Sequence, residues 1–370
     1  MKLIKFLLKS VTVMFVFLFI LFGIYIYKDS KNDNQTIESE PEFIDIVEEK
    51  VKIEPIIAEE EIEETVILPV EPAQKPIEND NQEEIVDTNK FYYSNLNKYS
   101  KLIYEALENQ KNSLKTGNSA INLSNKLKEV SEDENNMEEM LTAALNAFEY
   151  DNPDIFYLDV SKMVLYYEKD GFGNYKIYIK NDENYNNYLI DGFNSEEDIQ
   201  KAQNKIDEVV ANIQNDVNKY NDDKNKILYI HDWLAKNVKY DETINKENKD
   251  TIYGSLVEGE AVCTGYAKAF KYLLDKLNIK TFIVQGIGTN DKGQEYHAWN
   301  YVKLNNKWYG VDCTWDDPII IGDLTNYNPK PYYTYFLKGQ NVFNKDHKTL
   351  ETFNGTNLEL NYPKLSVEDY

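Results

Sequence analysis

The chain of 370 residues carries 64 acidic against 40 basic side chains, a formal net charge of −24. Such a surface repels phosphate backbones, and no basic stripe or nucleic-acid motif offsets it, so nucleic acid is not expected as a partner. The length suggests about two domains, 29 Tyr and 16 Phe supply apolar surface for a core, and two cysteines, Cys263 and Cys313, are too few for a disulfide framework.

Residues 11–27 are almost wholly apolar (VTVMFVFLFILFGIYIY). As a helix they span about 26 Å, close to a hydrocarbon core of ~30 Å. Lys2, Lys5 and Lys9 precede the run, which predicts a cytoplasmic N-terminus and an exported remainder. A cleaved signal peptide is the competing reading, but the run ends in Ile24-Tyr25-Ile26-Tyr27, without small residues for a cleavage site. Residues 1–28 are therefore read as cytoplasmic tip and transmembrane anchor, and residues 29–90 as an acidic, proline-bearing linker. From 30 to 90 there are 19 acidic and 5 basic residues, so more than half of the chain's excess charge lies in a solvated spacer and not in the folded region.

Residues 91–225 are read as an N-terminal α+β region. Apolar periodicity predicts helices at 95–111, 137–150 and 196–220, and strands at 164–167 and 175–179 around Gly171-Phe172-Gly173. A further helix at 225–238 carries His231, which reads as a structural histidine.

Reactive side chains concentrate between Tyr253 and Pro318, within a region taken as 226–370. Glu260-Ala261-Val262-Cys263 leads into a helix whose stripe is Tyr266, Phe270, Leu273, Leu274 and Leu277, and Cys263 falls on that stripe at the first turn. Unpaired N–H groups and the dipole at a helix start favour a thiolate; a buried inert cysteine fits the position equally well. Downstream, 281–286 reads as a strand, and 295–304 with 307–315 as a hairpin closed by Asn305-Asn306, since Asn tolerates positive φ. With Leu304 opposite Lys307, His297 and Asp312 become diagonal neighbours on one face, about 7–8 Å apart at most between Cβ atoms. Cys313 points to the other face, with Ala298, Asn300, Val302, Tyr309 and Val311. Cys263 thus fits a nucleophile, His297 its base and Asp312 the group that orients the base. No metal is expected: CxxC and HExxH spacings are absent.

Three blocks carry a resemblance: Val262-Cys263-Thr264-Gly265-Tyr266-Ala267, His297-Ala298-Trp299-Asn300, and Trp308-Tyr309-Gly310-Val311-Asp312-Cys313-Thr314-Trp315-Asp316-Asp317-Pro318. In this order they resemble bacterial members of the transglutaminase-like superfamily. The resemblance implies an α+β, papain-like core, with a Cys-bearing helix packed on an antiparallel sheet that carries His and Asp. It also implies acyl-enzyme chemistry without a cofactor, on protein or peptide substrates at the cell surface. An acyltransferase joining a glutamine carboxamide to an amine is the first expectation. A cysteine peptidase or amidase with the same triad, and a non-catalytic surface binding module, are the alternatives. Trp299 and Tyr253 are the expected substrate-binding residues, with Trp308 and Tyr301 as further wall and Tyr253 as a candidate second oxyanion donor beside the Cys263 N–H.

Overall fold

The structure, a computed structural model, describes residues 90–125, 127, 134–169, 175–291, 293–317 and 331–370. The apolar run and most of the acidic linker lie outside them. Among the described residues no helix is long and apolar enough to cross a membrane.

The first layer is helical. α1 (Phe91–Asn95) is followed by α2 (Lys98–Asn109). A helix was expected at 95–111; it starts at Lys98 instead, because Asn97 is extended and its side chain accepts from the Tyr99 and Ser100 N–H groups, capping a fresh start. α3 (Lys111–Leu114), β1 (Ile121–Asn122) and α4 (Glu134–Asp151) follow. β2 (Met163–Lys169) and β3 (Tyr175–Asn181) form an antiparallel pair, with β1 on the outer edge of β3.

α5 (Glu196–Val217) is the long amphipathic helix the periodicity predicts. It buries Ile199, Ala202, Ile206, Val210, Ile213 and Val217, one stripe at the i, i+3/i+4 spacing, and each of its buried Ile and Val side chains contributes roughly 1.5–3 kcal/mol. Ser195 and Asp222 cap α5 and α6 (Asp223–Asn237). The expected boundary near 225 falls inside α6, and residues on both sides of it enter one hydrophobic cluster.

β4 (Lys239–Tyr240) pairs in parallel with β5 (Glu260–Ala261), which delivers the chain to α7 (Cys263–Asp275). A single buried face was expected for α7, yet every residue from 265 to 274 is buried. Lys268 and Lys271 tolerate this because Glu149 and Asp275 pair with them at 2.7 and 2.6 Å.

A four-stranded sheet runs in the order β8-β7-β6-β9, from β6 (Thr281–Asn290), β7 (Gly293–Leu304), β8 (Lys307–Val311) and β9 (His347–Thr349); α8 (Gln340–Phe343) precedes β9. The β7–β8 register is the expected one, with Leu304 opposite Lys307 and Asn300 opposite Val311. Asn305 and Asn306 take φ of 49° and 61°, as the tight turn requires. β8 was expected to continue to 315 and stops at Val311 instead. The Asp312 side chain accepts from the N–H groups of Thr314 and Trp315, and the Asp312 N–H turns to Tyr335 O.

Both faces of the sheet are covered. Ala267 of α7 packs with Ile283 and Ala298 on one. Phe343 lies over Gly310 and against Trp299 on the other. The N-terminal layer is tied in as well: Phe91 stacks on Phe282 at 4.1 Å and Tyr92 donates to Ile283 O at 3.0 Å. The outer edge of β8 is closed by Gly310–Lys338 backbone bonds at 2.8 and 2.9 Å, which leaves no open ladder there.

Candidate active site

Cys263 is the first residue of α7, immediately after the extended Val262. Gly265 lets the helix begin there. A Cβ at Gly265 would lie 2.4 Å from Lys249 O and 2.8 Å from Ala261 Cβ, so only a glycine admits the neighbouring backbone. Cys263 is half-buried, whereas Cys313 is 3% exposed; both are free thiols.

β7 is exposed from Gln294 to Tyr296 and buried from His297 onward, so the imidazole sits where the strand enters the protein. Its Nε2 lies 2.6 Å from Asp312 Oδ2. That engagement leaves Nδ1 for Cys263, whose sulfur is among the groups acting on the imidazole charge. The diagonal placement of His297 and Asp312 is thus realised as a direct bond. Trp315 stacks on the His297 ring at 4.8 Å and 23°, shielding it from water.

Asp312 is 1% exposed and fully engaged. Oδ1 accepts from Thr314 N at 2.9 Å and Trp315 N at 3.2 Å, while Oδ2 meets His297 and His347, the latter at 3.1 Å. Burial alone would push the Asp312 carboxyl up; the charge and hydrogen bonds of His297 and then His347 outweigh it and hold the group well below the usual carboxylate range. Burial likewise disfavours an imidazolium at His297, but the Asp312 carboxylate and then the Cys263 sulfur raise it to about 10. Burial pushes the Cys313 thiol far above its ordinary value, which marks it as inert.

The remaining predicted residues are placed differently. Trp299, expected to line a substrate passage, is 1% exposed: its ring fills the space over Gly286, where a Cβ would lie 2.3 Å away, and packs edge-on to His347. Tyr301 and Trp308 flank Phe282 in the core. Tyr253 joins an aromatic cluster with Phe156 and Phe193, and its hydroxyl lies 3.5 Å from Lys205. Trp299, Tyr301 and Trp308 are core and not wall for one reason: strand alternation identifies a face but not what covers it. His231, expected as a structural histidine, packs in the interior. It is fully buried between Asp232 and Asp316, at 3.2 and 3.1 Å.

Sequence reasoning missed His347. Its one signal is rarity, since the chain has only three histidines. Ligand atoms of His297, Asp312 and His347 lie within 4.8 Å of one another and could in principle take a cation. As arranged they do not fit one. Ligands about 2.0–2.1 Å from a tetrahedral ion are more than 3 Å apart, whereas His297 Nε2 and Asp312 Oδ2 close to a 2.6 Å hydrogen bond.

Thr264, beside the nucleophile, and Lys268, one turn on, line a cavity of about 420 Å³ between the end of α4, residues 155–162 and residues 247–251. Five carboxylates line it (Glu149, Asp159, Asp191, Glu247, Asp250) against three ammonium groups (Lys162, Lys249, Lys268), and each of those lysines already pairs with a lining carboxylate. The cavity therefore presents net negative charge to a ligand.

A helix-borne cysteine, an imidazole on an antiparallel sheet and a carboxylate fixing that imidazole make a candidate cysteine-nucleophile site. Residues 200–313 match the model of the transglutaminase-like superfamily, so the chain carries a transglutaminase-like domain; that superfamily includes cysteine peptidases and acyltransferases. Among curated proteins the chain is similar to kyphoscoliosis peptidase of Homo sapiens, 24% identical over 40% of this chain and 23% of that protein. It is likewise similar to the Mus musculus protein, 24% identical over 34% and 21%. The chain thus spans less than a quarter of the length of these relatives. Among solved structures it is similar to a TGase (TM-score 0.30, 14% identity, 48% of this chain and 50% of that one). A protein described as a cysteine protease from Cytophaga hutchinsonii gives a TM-score of 0.27, at 16% identity over 41% and 62%.

Proposed function

We propose that this chain is a cysteine acyltransferase held at the outer face of a membrane, joining a glutamine carboxamide to a primary amine. The observation that carries the chemistry is the 2.6 Å bond that fixes His297 on Asp312 beside Cys263, with His297 raised to about 10 by Asp312 first and then by the Cys263 sulfur. The thiolate attacks the carboxamide carbon, and the Cys263 N–H is placed to stabilise the oxyanion. His297 gives its proton to the departing ammonia and a thioester forms. The incoming amine attacks the thioester, loses a proton to His297 and expels the thiolate. The acidic cavity beside Thr264 favours an ammonium-bearing acceptor over water alone.

Residues 91–370 should couple a labelled primary amine to a glutamine-bearing protein, and Cys263→Ala should abolish coupling. Hydrolysis or deamidation alone, with no amine incorporated at high amine concentration, would transfer the assignment to a peptidase or amidase. That second reading draws support from the peptidase similarity. Absence of any acyl-enzyme would favour a binding module.

The location is a separate proposal, motivated by Lys2, Lys5 and Lys9 ahead of the apolar run. Protease added to intact cells should cut the acidic linker and release a soluble C-terminal fragment. A secreted form beginning near Lys28, or full protection of the C-terminal region, would rule the anchor out.

A further inference from the structure

The nucleophile array does not end at Asp312. His347 Nε2 lies 3.1 Å from the same Oδ2 that holds His297, and its Nδ1 lies 2.7 Å from Asp346 Oδ1. Asp346 in turn accepts from the Tyr335 hydroxyl at 2.6 Å. The result is an alternating chain, His297–Asp312–His347–Asp346, running from the imidazole that serves Cys263 to the half-buried Asp346. The His347 ring is 4% exposed and held in plane by Phe343, Trp315, Trp299 and Tyr335, with centroids 4.1 to 4.9 Å away. The long β6–β7 hairpin and the β6–β9 pairing bring it there.

We propose that His347 is a positioning residue for the cysteine nucleophile: fixed from behind by Asp346, it donates to Asp312 Oδ2 and locks the carboxylate that orients His297. An ionised carboxylate only accepts, so the His347 nitrogen that faces Asp312 Oδ2 holds it as an N–H donor. A carboxylate oxygen carries two lone pairs, and two imidazoles occupy those of Oδ2. With Oδ1 taken by two backbone N–H groups, Asp312 has no alternative partner to turn toward. Without His347, one buried lone pair of Oδ2 falls vacant. Water entry or rotation of the carboxylate then loosens the 2.6 Å bond to His297. The inference rests on reading Cys263, His297 and Asp312 as nucleophile, base and orienter, and is independent of whether water or an amine completes the reaction.

The test is the rate at which iodoacetamide alkylates Cys263 at neutral pH in the full chain, which needs no substrate, with kcat and KM measured wherever turnover is found. His347→Phe keeps an aromatic ring in the aromatic cage and removes both ring nitrogens. It should lower the alkylation rate and kcat by about 10- to 100-fold, the range seen when a group orienting a functional histidine is lost, with KM changed by less than about 2-fold. His347→Gln, which retains an N–H donor, should recover part of the loss. A cycle with Asp312→Asn separates positioning from packing, because His347→Phe should cost little more once Asp312 is gone. An equal cost in both backgrounds, or unchanged alkylation in a well-folded His347→Phe chain, would overturn the proposal. Should His347→Phe fail to fold, Asp346→Asn decides. It alters a half-buried side chain and should slow alkylation several-fold, and an unaltered rate there would be equally fatal. Failure of amine coupling with these alkylation effects intact would refute the acyltransferase reading alone.

Discussion

Asp312→Asn should leave the chain folded and lower kcat by about 10³- to 10⁴-fold, the loss found when a catalytic histidine is held in the wrong tautomer. The fold should survive because an Asn Oδ1 can still accept from Thr314 N and Trp315 N. The amide nitrogen then faces His297 Nε2, which can no longer donate and must accept. The ring hydrogen moves to Nδ1, the nitrogen facing Cys263, and the base is lost. A pH signature accompanies this loss. In the folded chain His297 is raised from 6.5 to about 10, so its contribution to stability is fully present below about pH 6.5 and disappears as pH rises through about 10. Asp312 is depressed below its ordinary 3.8, so its contribution is present above that value and disappears as pH falls through the depressed one. Denaturant midpoints measured from pH 3 to 10 should therefore decline at both ends in the wild-type chain and flatten in Asp312→Asn. Near-normal turnover in a folded Asp312→Asn chain would mean that another group orients His297.

The second large effect is selective reactivity of the two thiols. Iodoacetamide at neutral pH should give a single adduct, at Cys263, while Cys313 reacts only after unfolding. Cys313 is 3% exposed, and burial pushes its thiol far up. Cys263 is half-buried, and its sulfur acts on an imidazole held in the charged form up to about pH 10. A free thiol is only a few per cent thiolate at pH 7, so His297→Ala, which removes the imidazolium, should slow labelling by about an order of magnitude or more. Cys263→Ala should leave no adduct and no turnover. Mass spectrometry of the alkylated chain decides the matter, and equal slow labelling of both cysteines would return Cys263 to the role of an inert core residue.

The sequence by itself determined the parts of the site that depend on local geometry. Cys263 at a helix start follows from the apolar stripe Tyr266, Phe270, Leu273, Leu274 and Leu277, projected back to the first turn. The His297–Asp312 partnership follows from one turn: Asn305-Asn306 sets the pairing of Leu304 with Lys307, and strand alternation carries that register to the site. What covers the sheet was decided by the tertiary structure alone. Trp299 reads as a wall residue by face and becomes core because residues 335–365, far along the chain, fold back over that face. The same return brings His347 from 35 residues beyond Asp312 to its side, through a strand pairing that no local period encodes. Periodicity is a property of neighbours within one element, whereas burial and the second partner of a carboxylate depend on which distant elements the core brings into contact.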